Sequence, residues 1–173
     1  MKEKIKLPVR GTIEPTPGKP INIGTAMQNR ETVTENRKKI IDSSLCMESE
    51  LDDIIALYFF SGRKDLMRFF SDTILKSSLL GFMNKTKVLK FIFERSNTKQ
   101  ASEVNKLLKR VVSYRNAFAH GEIIEKSDGT YIRYFEGKKV EKKLDGTYWT
   151  NLEEVFEKSL QLLQKIRGEI VIN

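Results

Sequence analysis

From residue 32 onward apolar residues recur at helical spacing along most of the chain. Ile40, Ile41, Leu45, Leu51, Ile54, Ile55 and Tyr58 predict a long first helix, opened by Thr32 and Glu35 as a capping box and ended at Ser61-Gly62. Leu66, Phe69, Phe70 and Ile74 predict a second helix over roughly 64–79, and Gly81 separates it from a third over about 85–95 that carries Val88, Leu89, Ile92 and Phe93. Asn97 with Gln100 caps a fourth helix over about 98–119, closed by Gly121 at the C′ position. Thr150 and Glu153 open a last amphipathic helix whose inner face is Leu152, Val155, Phe156, Leu160, Leu163 and Ile166.

Between residues 122 and 149 the period shortens to that of strands. Ile123-Ile124, Tyr131 to Phe135 and Lys139 to Glu141 are β-prone runs separated by Asp128-Gly129 and Glu136-Gly137, and Asp-Gly between such runs is a hairpin signal because glycine reaches positive φ cheaply. The tetrapeptide Asp-Gly-Thr-Tyr at 128–131 recurs at 145–148, which marks turns rather than a repeat architecture. All four prolines fall within residues 1–30, which read as an extended or mobile arm. The expectation is a mainly α domain over 31–173: a bundle of about five helices, with a β-hairpin or meander inserted at about 122–149.

Composition narrows the picture. The lone Cys46 excludes an intrachain disulfide or a multi-cysteine zinc site, and the lone histidine excludes the His-pair zinc motifs, so neither metal nor cofactor is expected. The longest apolar run, Ile54 to Phe60, is too short to cross a bilayer, and no apolar signal-peptide core precedes it, so a cytoplasmic location is expected. The net charge of +8 is concentrated: residues 84–116 hold nine lysines and arginines against Glu94 and Glu103. Such a stretch attracts polyanions, and Lys106, Lys109 and Arg110 are its candidate RNA-binding residues; the plain alternative is a solvated helix face.

On the fourth helix, steps of about 100° per residue place Leu107, Val111, Tyr114 and Phe118 in one stripe. Val104, Leu108, Val112 and Ala119 form a second row about a quarter turn away, with Arg115 inside it. Two apolar rows exceed the needs of one core, which points to a homodimer through the second row. Arg115, Asn116 and His120 are read as sharing that flank. By themselves they have a structural explanation: a histidine in a last turn favours the helix dipole, and Arg115 can pair with Asp52 or Asp53 of the acidic cluster on the first helix.

Arg115-Asn116-Ala117-Phe118-Ala119-His120 resembles the Arg-Asn-x-x-x-His signature of the HEPN superfamily. The stretch from Leu51-Asp52-Asp53 through Phe59-Phe60-Ser61-Gly62 to Leu79-Leu80-Gly81 is similar to the helical core of the mannitol operon repressor family. Together the two cover about residues 45–121. The superfamily resemblance implies a HEPN-like bundle that dimerises with two Arg…His segments face to face, and in many members cuts RNA without metal. Carried over, His120 would be general base or acid, Arg115 would hold the phosphate and Asn116 would orient either, leaving 2′,3′-cyclic phosphate and 5′-hydroxyl ends. Members linked to nucleotidyltransferase antitoxins carry a Tyr two residues after the histidine, where this chain has Glu122. Two readings follow: an endoribonuclease, as a toxin or defence effector with an antitoxin or other regulatory protein as partner, and a non-catalytic regulatory or binding protein on the same fold.

Overall fold

The computed structural model describes residues 11–14, 21–77, 80–96 and 100–172. Among them the protein is mainly helical, with five α-helices, one π-helical turn and a four-stranded sheet. The order is β1 (Gly11–Ile13), α1 (Ile23–Phe60), α2 (Lys64–Phe70), a π-helical turn (Ser71–Leu75), α3 (Phe82–Ser96), α4 (Ala101–His120), β2 (Glu122–Lys126), β3 (Gly129–Phe135), β4 (Lys139–Lys143) and α5 (Gly146–Ile172). No helix among the described residues is long and apolar enough to cross a membrane.

The helices form where periodicity places them, but two begin earlier than their capping signatures predict. The Asn22 side chain accepts the Thr25 N–H at 3.2 Å, so α1 starts at Ile23 and part of the expected arm is helical. Thr32 lies inside that helix, and its hydroxyl donates to Gln28 O. Past Pro20 nothing breaks the helix, and a Thr-x-x-Glu pattern in an interior has no orphan N–H groups to satisfy. Likewise Asp145, not Thr150, caps α5, accepting the Tyr148 N–H at 2.9 Å. The expected second helix splits into α2 and the π-helical turn, where the Lys76 N–H reaches back to Ser71 O at 3.0 Å. Asn97, the expected cap of the fourth helix, and residues 78 and 79 lie outside the described residues, as do 1–10 and 15–20 of the arm.

The chain divides into two compact units. One comprises the residues up to Ile41 together with Arg115–Asn151. Its sheet runs β1-β2-β3-β4, a meander of β2, β3 and β4 with β1 added in parallel at the edge of β2. The meander is the one expected from the two Asp-Gly and Glu-Gly turns; Gly129 and Gly137 both take positive φ there. Strand β1 escapes sequence reading because three residues beside prolines carry no periodicity. The core of this unit includes Ala26, Val33 and Ile40 from α1, Phe118 from α4, and Ile123, Ile124 and Ile132 from the sheet. Phe118 lies against the rings of Tyr148 and Trp149, 6.3 and 5.6 Å between centroids.

The other unit comprises Asp42–Tyr114 and Leu152–Asn173. Leu51, Ile54 and Ile55 of α1, Leu89 and Ile92 of α3, Leu108 and Val111 of α4 and Leu163 of α5 are fully buried in it. Most of both apolar rows of α4 is buried here: Val104 and Leu108 are as buried as Leu107 and Val111, and Val112 is only 7% exposed, while Ala119, at the helix end, is half-buried. Val104, Leu108 and Val112 therefore supply no exposed apolar surface for a second subunit. Cys46 is exposed.

The same core holds an ion cluster. Lys85 is 2% exposed, and its ammonium sits 2.8 Å from Asp52 and 2.9 Å from Glu48. Burial pushes the Asp52 carboxyl above its ordinary 3.8 even though Lys85 pulls it down. The folded chain thus holds that proton more tightly than the unfolded one, and the corresponding stability is lost as pH rises from below 3.8 through the raised value. Lys85→Ala leaves a buried carboxylate uncompensated and is expected to cost about 3–5 kcal/mol near neutral pH. Urea unfolding at pH 7 and pH 4 checks this, with the smaller loss expected at pH 4, where Asp52 can be neutral.

Candidate functional site at the end of the fourth helix

The last turn of α4 is shaped by three contacts. Ala117 and Phe118 face inward and are buried, which turns Arg115, Asn116, Ala119 and His120 toward the surface. Arg37 of α1 donates through Nη2 to Ala119 O at 2.9 Å, placing a guanidinium on the carbonyl end of the helix, where the dipole favours a cation. The Gly121 N–H closes the helix on Ala117 O at 2.7 Å. Gly121 is needed here for close approach rather than for positive φ: a Cβ would stand 2.2 Å from Ala117 O and 3.2 Å from Arg133 O on β3.

Asn116 and His120 are exposed and lie about 40° apart around the helix, so they share an edge. Arg115 is half-buried and about 140° from His120, so the three do not share one flank, contrary to the sequence reading. Its Nη1 donates to Asn116 Oδ1 over a long 3.4 Å, and it has no acidic partner among the described residues. Asp52 and Asp53, proposed from sequence as that partner, are engaged by Lys85 and by Arg167, the latter at 3.1 Å from Asp53.

His120 lines an open cleft of about 470 Å³ with Gly11, Thr12, Gly121, Glu122 and Arg133; Arg115 and Asn116 are not part of its wall. Within the cleft the Thr12 hydroxyl donates to Glu122. Arg133 is held by carboxylates: Glu14 through both oxygens at 2.8 and 2.9 Å, Glu141 at 2.8 and 3.0 Å, and Glu122 at 3.9 Å. The Arg133 guanidinium keeps the Glu14 carboxyl below its ordinary range, Lys126 and Arg133 do the same to Glu141, and Glu14 and Glu141 push Arg133 further up. Thr12 and Arg133 were missed from sequence because they join the cleft only through sheet pairing, and Glu122, two residues after His120, was noted only as a departure from the tyrosine of some members. Arg133 opposite Glu122 and Glu141 in a meander was the available signal.

Lys106, Lys109 and Arg110 are exposed, as their spacing on α4 requires, and none forms an ion pair with a described residue. Lys106 and Arg110 line a groove of about 200 Å³ with Leu107, Val155, Lys158 and two acids, Glu103 and Glu154. The basic stretch is weaker than its composition, since Lys85 is spent inside the core. Among the described residues no three His, Cys, Asp or Glu side chains converge as they would around a metal ion.

Compared with protein families, with characterised proteins and with solved structures, the chain has no match in any of the three.

Because β3 backbone and the α4 carbonyl leave no room for a methyl group, Gly121→Ala is expected to cost at least about 1–3 kcal/mol and to displace the last turn. Thermal unfolding measures the first effect. A shift of the His120 ring signals in NMR reports the second; an unchanged melting temperature and spectrum would contradict the close approach.

Proposed function

We propose that this protein is a HEPN-type endoribonuclease that needs no metal, with His120 as its proton-transfer group. The observation that carries the reading is that Arg115, Asn116 and His120 stand at the surface end of α4 with no acidic side chain among the described residues taking up Arg115. A guanidinium not engaged by a carboxylate has its donors available for a phosphate. The match of residues 115–120 to the Arg-Asn-x-x-x-His signature supplies the reaction type.

Cleavage through the ribose 2′-hydroxyl moves two protons. The 2′-oxygen loses one as it attacks phosphorus, and the 5′-oxygen gains one as its bond to phosphorus breaks, leaving a 2′,3′-cyclic phosphate and a 5′-hydroxyl. Arg115 stays protonated at any workable pH and serves only to stabilise charge on the phosphate. Asn116, one turn before His120, orients the imidazole or the phosphate. One histidine per chain supplies one of the two proton-transfer groups, and His120 of a second copy supplies the other in a homodimer. The case for that dimer is the proton inventory, because Val104, Leu108 and Val112 of the second row of α4 are buried within the chain. An active monomer would instead assign the second proton to Glu122, which shares the cleft with His120.

A second reading rests on a specific feature: Lys106, Lys109 and Arg110 are exposed and without an ion pair among the described residues whether or not chemistry occurs, which suits binding of RNA, or of an acidic partner such as an antitoxin, by a non-catalytic regulator.

Incubating the purified chain with mixed RNA in EDTA separates the two. Cleavage is expected to persist, to follow a bell-shaped pH profile with limbs near neutrality, and to fall by at least about 100-fold in His120→Ala while that variant still binds RNA. Full activity in His120→Ala, or none without a divalent metal, would leave the regulator as the better account. Binding itself should weaken with added salt, and replacing Lys106 and Arg110 by Glu should lower the slope of log affinity against log salt by about two.

A further inference from the structure

The cleft beside His120 contains a cation that the reaction above does not use. Arg133 presents Nη1 and Nη2 to both oxygens of Glu14, at 2.8 and 2.9 Å. This two-pronged geometry is also how an arginine grips a phosphate. Glu14 is well placed to be displaced: its side chain is 38% exposed, and it directly follows β1, a three-residue strand at the sheet edge. A second guanidinium lies behind the same wall. Arg30 Nη2 is 2.9 Å from where a Cβ on Gly11 would project, and Arg30 Nε and Nη2 are buried without a hydrogen-bond partner among the described residues. Buried guanidinium N–H groups left without an acceptor favour an anion at that wall.

We propose that this cleft takes a phosphate group, and that Glu14 is its built-in competitor, occupying on Arg133 the place of two phosphate oxygens. The inference rests on the reading of His120 as a group that meets RNA phosphate. Arg133 holds the Glu14 carboxyl below its ordinary range, so Glu14 is ionised at neutral pH and yields to a phosphate by competition rather than by protonation. Glu122 and Glu141 also face Arg133, and Lys126 pairs with Glu141, so an incoming phosphate meets two further carboxylates as well as the Arg133 guanidinium, with Arg30 behind Gly11. Removing the charge of Glu14 is therefore the step that favours binding. Strand β1 acts in this arrangement as a brake on the site.

The chain has one histidine, so its ring signals in an NMR spectrum of the full chain report on this cleft directly. Inorganic phosphate, titrated at constant pH against sodium chloride of matched ionic strength, is expected to move those signals in the wild-type chain. Binding should be about threefold to fivefold tighter in Glu14→Gln, the factor an ion pair of this exposure supports, and lost in Arg133→Met. Arg133→Lys keeps the charge but not the fork and should bind weakly, which separates loss of the phosphate contact from loss of fold. Displacement of phosphate by a short 2′-O-methyl oligoribonucleotide assigns the cleft to RNA; phosphate binding that survives saturating oligonucleotide assigns it to a free phosphate ligand under the same competition by Glu14. Unmoved His120 signals in both wild type and Glu14→Gln, or the same movement with chloride alone, would overturn the proposal. Neither result bears on cleavage, which His120→Ala tests separately.

Discussion

The arrangement around His120 depends on how closely the last turn of α4 approaches the backbone of β3, a separation that only a residue without a side chain at position 121 permits. Because Gly121 allows the turn to end there, the chain passes at once into β2, and Glu122 stands opposite Arg133 in the first register pair of the β2–β3 hairpin. Arg37 secures the same turn from outside by satisfying Ala119 O, one of the carbonyls that the end of a helix leaves without an internal partner. The imidazole is thus held on a helix end fixed by a steric constraint and a charge-assisted hydrogen bond, while its own ring remains exposed.

What distinguishes the basic residues of this protein is whether they are committed. Lys85 is enclosed by Asp52 and Glu48, Arg133 by three glutamates and Arg167 by Glu50 and Asp53. Arg115, Lys106, Lys109 and Arg110 are left without acidic partners among the described residues. Net charge alone treats all of these alike. A polyanion responds only to the second group and to whatever member of the first can be released by exchange of one anion for another.

The burial of most of both apolar rows of α4 changes the argument for assembly. A second subunit is not required to cover Val104, Leu108 and Val112, so any dimer must draw on surfaces other than these three residues. Helical periodicity reports that a face is apolar and leaves open what covers it.

By itself the sequence determined the elements that rest on local physics. The 3.6-residue period of α3, α4 and α5 marks their inner faces, Phe118 and Leu163 among them, and the Asp-Gly and Glu-Gly turns place the meander before the last helix. It also singled out residues 115–120, since Asn116 and His120 four apart must share an edge of any helix. Only the tertiary structure decided where Arg115 points relative to the cleft, which acids serve Lys85 rather than Arg115, and that Thr12, Glu14, Glu122 and Arg133 converge. The reason is separation along the chain: Thr12 and Glu122 are 110 residues apart, and Glu14 and Arg133 are 119 apart. Parallel pairing of a three-residue strand has neither a turn nor a hydrophobic period to announce it. Contacts of that kind are set by how the helices and sheet pack, and no local pattern encodes them.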